Sequence, residues 1–197
     1  MNYDINIEIS WYAPVVPAKS LAGIPLLISV AEFERGLGRY LVEEGKALYQ
    51  FEGSPVFSMV MGLDSDGNGG YGFSVFDRGL TNWHLFFNSP GHPGADPRAL
   101  YVIVRSWKIY AVKVLMFEKY RDGGRPVNSY KGKLACGIGL GDLLSDLQGF
   151  AELEFDAEEE WYVAMGDYSG LEVSGYGVSL ADNSDQVVMA LAVLVEG

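Results

Sequence analysis

The sequence predicts an α+β fold dominated by an antiparallel sheet of about ten strands, with a meander over 47–88 and two helices near 29–44 and 141–149. Three observations carry this expectation. Several stretches alternate apolar and polar residues with period two, the repeat of a strand with one buried and one wet face. Aromatics are abundant, with 12 Tyr, 10 Phe and 4 Trp, beside 25 Gly. Aromatic side chains fill pleated faces, and glycine supplies the positive φ of tight turns. Turn dipeptides such as Asp66–Gly67 and Asn68–Gly69 separate the apolar runs. At 197 residues, 49% hydrophobic and 20% charged, the chain reads as a single domain over 1–197 with a substantial core.

The first element is a strand over 3–11, where Tyr3, Ile5, Ile7, Ile9 and Trp11 alternate with Asp4, Asn6, Glu8 and Ser10. Pro14 and Pro17 break it. A helix over 29–44 follows. Ser29 with Glu32 three residues later is a capping-box signature, and Val30, Phe33, Leu37 and Leu41 trace one face up to a stop at Gly45. Gly36 and Gly38 weaken it. The meander then runs through "ALYQFE", "VFSMVMGL", "YGFSVFD" and "NWHLFFN" with turn-like separators. A Pro/Gly-rich loop spans 88–99.

Residues 100–120 admit a helix capped by Asp96 and Pro97 or a pair of strands. Arg98, Arg105, Lys108, Lys113 and Lys119 scatter around a helical wheel and β-branched residues are many, so two strands are expected. "DGGRP" is a turn. "KLACGIGLGDLLSDLQGF" reads as a strand, a glycine-rich turn and a short helix from about Asp142. Three strands complete the chain, and the nearly all-apolar last one belongs in the middle of the sheet.

Charge divides the chain into blocks. Residues 1–96 hold 11 Asp/Glu against 5 Lys/Arg, residues 97–133 hold 2 against 9, and residues 134–197 hold 13 acids and no base. The net charge is −12. One consequence is that the basic block lies beside the acidic one in the sheet, each relieving the other's field. The excess negative charge disfavours nucleic acid and anionic lipid as partners and favours a basic protein. Cys136 is the only cysteine and cannot form an intramolecular disulfide. "SLAGIPLLISVAEF" falls short of the about twenty apolar residues of a membrane span and contains Pro25, so a soluble cytoplasmic protein is expected.

Few stretches carry candidate chemistry. In "GLDSDGNGGYGF", Asp64, Asp66, Asn68 and Gly69 match the early positions of a calcium loop. Gly72 and Val75 stand where the later ligands belong, and both flanks read as strands, so a hairpin tip is expected. "CGIGLGDLL" resembles a phosphate-cradling turn but lacks the full glycine spacing and a following lysine, and Asp142 and Asp146 repel anions there. A nucleophilic or zinc-ligating Cys136 needs His84 or His92, which nothing in the sequence brings near it. No catalytic residue, metal site or cofactor is assigned.

The remaining feature is "ELEFDAEEEWY". Glu152, Glu154, Asp156 and Glu158 would share one face of a strand, with Glu159, Glu160, Trp161 and Tyr162 beyond it. A solvated carboxylate row lacks the divergent environments that acid–base catalysis needs. With neighbouring aromatics it suits docking of a basic surface. The sequence therefore points to a non-enzymatic acidic binding protein, such as an inhibitor or immunity protein that neutralises a basic toxin domain. The alternatives are a small-ligand binder or enzyme using a sheet cavity near Trp83, His84 or Cys136, and a structural or assembly component.

Overall fold

A computed structural model of the chain describes residues 7–80, 98–118 and 127–196. The expected strand at 82–88, the 88–99 loop before Arg98, His84, His92, residues 3–6 of the first element and the turn at 122–126 lie outside these residues. Twelve strands are described: β1 (Ser20–Leu21), β2 (Ile24–Pro25), β3 (Leu41–Glu43), β4 (Leu48–Gln50), β5 (Val56–Leu63), β6 (Gly69–Val75), β7 (Arg98–Arg105), β8 (Lys108–Leu115), β9 (Leu153–Asp156), β10 (Trp161–Ala164), β11 (Leu171–Ser174) and β12 (Ala190–Leu194). Ten of them form one antiparallel sheet in the order β3-β4-β5-β6-β7-β8-β12-β11-β10-β9. The first six make a meander. The chain then re-enters at the far edge as β9 and steps inward to β12, which closes against β8.

The register separates two faces. On the core face Phe57, Phe73, Tyr71, Val102, Val112, Val193, Leu171 and Tyr162 are buried. Residues 7–40 lie over this face. Ile7, Ile9 and Trp11 are buried and Glu8 is exposed, as the alternation predicts, whereas Ser10, expected on the wet face, is buried as well. They form no extended ladder, however: Ser10 makes a single parallel bridge to Glu52. Trp11 is the centre of an aromatic cluster, 5.1 Å from Phe57 and 5.5 Å edge-on from Tyr130, and its indole N–H donates to the Asn128 carbonyl at 2.9 Å.

The predicted helix forms as α1 (Val30–Leu37) with the full capping box. It ends earlier than 44 and passes into a 3-10 turn at Gly38–Tyr40 and then into β3. The turn delivers Tyr40 to the core, where its hydroxyl accepts from the Ile9 N–H at 2.7 Å and its ring meets Phe51 edge-on at 5.4 Å. That packing outweighs continuation through Gly36 and Gly38. Leu41, expected on the buried helical face, is exposed in β3.

Residues 98–115 form two strands, as the scattered cations predict, joined by Ser106 and Trp107, both at positive φ. The "DSDGNGG" segment is the β5–β6 hairpin tip. The Asp64 carboxylate accepts from the Asp66 N–H at 2.9 Å and the Asn68 N–H at 2.8 Å. Gly67 is at φ +73°, and a side chain there would run into the Trp107 ring. The segment 133–140 departs from expectation: it forms only an isolated bridge, Lys133 to Gly139, rather than a strand. The second helix is a 3-10 helix at Leu144–Gly149. Asp142 does not cap it; its carboxylate accepts from the Gly139 N–H at 3.0 Å and pairs with the Lys133 ammonium at 2.9 Å. Among the described residues no helix is long and apolar enough to cross a membrane.

Candidate functional site

The sheet face opposite the core holds the site. The register aligns Lys113, Ala192, Glu172, Val163 and Glu154 in one row across β8, β12, β11, β10 and β9. Ala190 and Ala192 supply β12 with small side chains on this face. Neighbouring strands lie about 4.8 Å apart, so Lys113 and Glu172 are separated by two strand spacings. Over an alanine their long side chains meet, at 3.8 Å between ammonium and carboxylate. The same ammonium sits 4.5 Å from the centre of the Trp161 ring. Basic β8 and acidic β11 thus join through one cation, the charge relief expected from the sequence blocks.

Trp161 stands between two clefts. The larger has a volume of about 510 Å³ and is lined by Leu115, Met116, Met189, Trp161 and Tyr176, with Glu159 and Glu160 also on its wall. The smaller, about 160 Å³, is lined by Lys113, Asp156, Glu159, Trp161, Val163 and Glu172. One is chiefly apolar and aromatic with carboxylates, and the other is chiefly charged.

Two loops shape the larger cleft. The β9–β10 turn is tightened by Asp156, whose carboxylate accepts from the Glu158 and Glu159 N–H groups at 2.9 and 3.2 Å. It ends with Glu160 at φ +61°. Gly177 sits at φ +75°, a conformation that favours glycine, and the Glu160 carboxylate lies against it: a Cβ there would come within 2.8 Å of one of its oxygens and displace it. The Ser174 hydroxyl donates to the Glu160 carbonyl at 3.2 Å and ties the turn to β11. The second loop, 175–183, is organised by Gln186, which is fully buried. Its Oε1 accepts from the Tyr176 N–H at 2.9 Å, and its Nε2 donates to the Val178 and Asn183 carbonyls, both at 3.0 Å.

The sequence-predicted residues fall into three groups. Asp156, Glu159, Glu160 and Trp161 meet at the clefts. Glu154 lies on the same sheet face beside Val163; Glu152 precedes β9 and Glu158 sits in the turn beyond it, so the four carboxylates do not form one strand row. Tyr162 turns to the core face: it is buried, its ring lies 4.8 Å from Phe155, and its hydroxyl donates to the Val178 carbonyl at 3.1 Å. It supports the groove from beneath and offers a partner no surface.

Sequence reasoning did not find Lys113, Glu172, Tyr176 or Gln186 as part of this site. The small residues at 190 and 192 within an apolar strand were the available signal. Cys136 is half-buried, and hydrogen bonding with it, followed by burial, pushes the Tyr168 hydroxyl up to about 12. Among the described residues no group of three or more His, Cys, Asp or Glu is placed to hold a metal ion. No protein-family model, curated protein or solved structure matches the chain.

Proposed function

We propose that the chain is a non-enzymatic binding protein that holds a basic protein partner against the β9–β10 turn and the adjoining groove, as an inhibitor or immunity protein neutralising a basic toxin domain would. The observation that carries this reading is the pairing of an exposed carboxylate turn with an apolar, aromatic groove at one place on the sheet face opposite the core. Exposed charge steers a partner of opposite sign and accelerates encounter. Desolvated aromatic and apolar surface then slows its departure, because interface energy concentrates at such anchors. Neither feature alone supplies both.

Nucleic acid and anionic lipid are disfavoured by the same negative field. In this reading the protein is soluble and acts in the cytoplasm, where a lone thiol such as Cys136 stays reduced. A small-ligand reading has one observation in its favour, because a 510 Å³ cleft falls within the size range of ligand pockets.

The test is capture from a lysate of the source cells by the immobilised protein, beside a Glu158→Lys, Glu159→Lys, Glu160→Lys variant. The reading expects a captured protein of basic isoelectric point that the variant loses. Capture retained by the variant, or captured proteins no more basic than the lysate, would contradict it.

A further inference from the structure

We infer that the larger cleft receives an arginine side chain of the basic partner, its guanidinium held by Glu159 and Glu160 against the Trp161 ring. This rests on the reading above and names its anchor. The cleft asks for three properties at once. Its wall of Leu115, Met116 and Met189 suits an aliphatic stem. Glu159 and Glu160 suit a cationic end, and an uncharged occupant would desolvate both carboxylates without compensation. The ion pairs described in the structure engage Glu43, Glu172 and Asp142 rather than these two. Trp161 and Tyr176 suit a flat cation that stacks, which distinguishes guanidinium from ammonium.

The molecule already uses this chemistry on the same face. Lys113 places its ammonium over Trp161 while contacting Glu172, and the Arg105 guanidinium lies 3.8 Å above the Tyr110 ring. Lys113 belongs to the smaller cleft, so Trp161 keeps a border on the larger one for a second, incoming cation. The volume of about 510 Å³ exceeds a single side chain and leaves room for the partner's flanking residues.

The experiment is a nuclear magnetic resonance titration of the full chain with capped pentapeptides carrying one central residue among glycines: arginine, its neutral isostere citrulline, or lysine. The arginine peptide is expected to move the Trp161 indole N–H resonance and to bind about tenfold more tightly than the citrulline peptide, with lysine between them. Glu159→Gln with Glu160→Gln is expected to erase the difference between arginine and citrulline, in a protein whose melting temperature is unchanged. Equal binding of arginine and citrulline would overturn the proposal, and so would equal binding of arginine and lysine. Arginine-dependent shifts confined to Glu152 and Glu154 would overturn it too, while leaving the acidic docking surface standing. If no cationic peptide shifts any acidic residue of β9 or its turn, the docking surface falls with it.

Discussion

Glu160 occupies the last position of the β9–β10 turn with φ +61°, a left-handed conformation that glycine adopts without strain. The turn would form more readily with glycine there, and the side chain instead carries a carboxylate to the mouth of the groove. Strain held at a surface carboxylate is a reason to look for function at that residue. Glu160→Gly is expected to leave stability unchanged or raise it by up to about 1 kcal/mol in urea denaturation while weakening partner binding. A loss above about 1 kcal/mol would assign Glu160 a structural role instead. Gln186 is the opposite case. It is fully buried and serves three backbone groups. Gln186→Leu strands the Tyr176 N–H and the Asn183 carbonyl, while the Val178 carbonyl keeps the Tyr162 hydroxyl, so a loss of about 2–3 kcal/mol is expected, with Tyr176 displaced from the cleft. Retained stability would mean the 175–183 loop is held by other contacts.

At the scale of elements, the hairpin tip gives Asp64 a structural role. The backbone N–H groups of Asn68 and Asp66, together with the Asn68 side chain, hold the Asp64 carboxyl below the usual carboxylate range. A carboxyl lowered in the folded state stabilises above its unfolded pKa and loses that contribution as pH falls through the folded value. Asp64→Ala is therefore expected to lower the melting temperature at neutral pH and to flatten its decline below about pH 4. An unchanged acid limb would remove Asp64 from the tip's support. Strands and turns of this kind were legible because period-two patterning and turn dipeptides are local. The β7–β8 hairpin was legible for the same reason, its cations fitting no helical face. Helix α1 was legible at its capping box but not at its end, since Tyr40 leaves the helix to meet Phe51 and the Ile9 N–H, contacts remote in sequence. The expected strand near 133–140 resolved into a turn whose polar groups are satisfied locally through Lys133 and Asp142.

At the scale of the molecule, the site exists because the chain returns β12 between β8 and β11. That crossover brings Lys113 to Glu172 and Trp161; the apolar run of β12 predicted a central strand, as it is, but not which strands would flank it. The carboxylates and Trp161 could be read from one short segment; the cleft they border could not. The pair itself adds little stability, because both side chains are about a quarter exposed and such ion pairs contribute at most about 1 kcal/mol. Its consequence is positional: one cation is spent within the sheet, and the β9–β10 carboxylates stay available. The direct test is the association rate of the captured basic partner, measured against ionic strength for the protein and for the Glu158→Lys, Glu159→Lys, Glu160→Lys variant. The account predicts an association rate that falls steeply with salt, and a variant that associates at least about tenfold more slowly with that dependence flattened. Equal rates and equal salt slopes for the two proteins would contradict it.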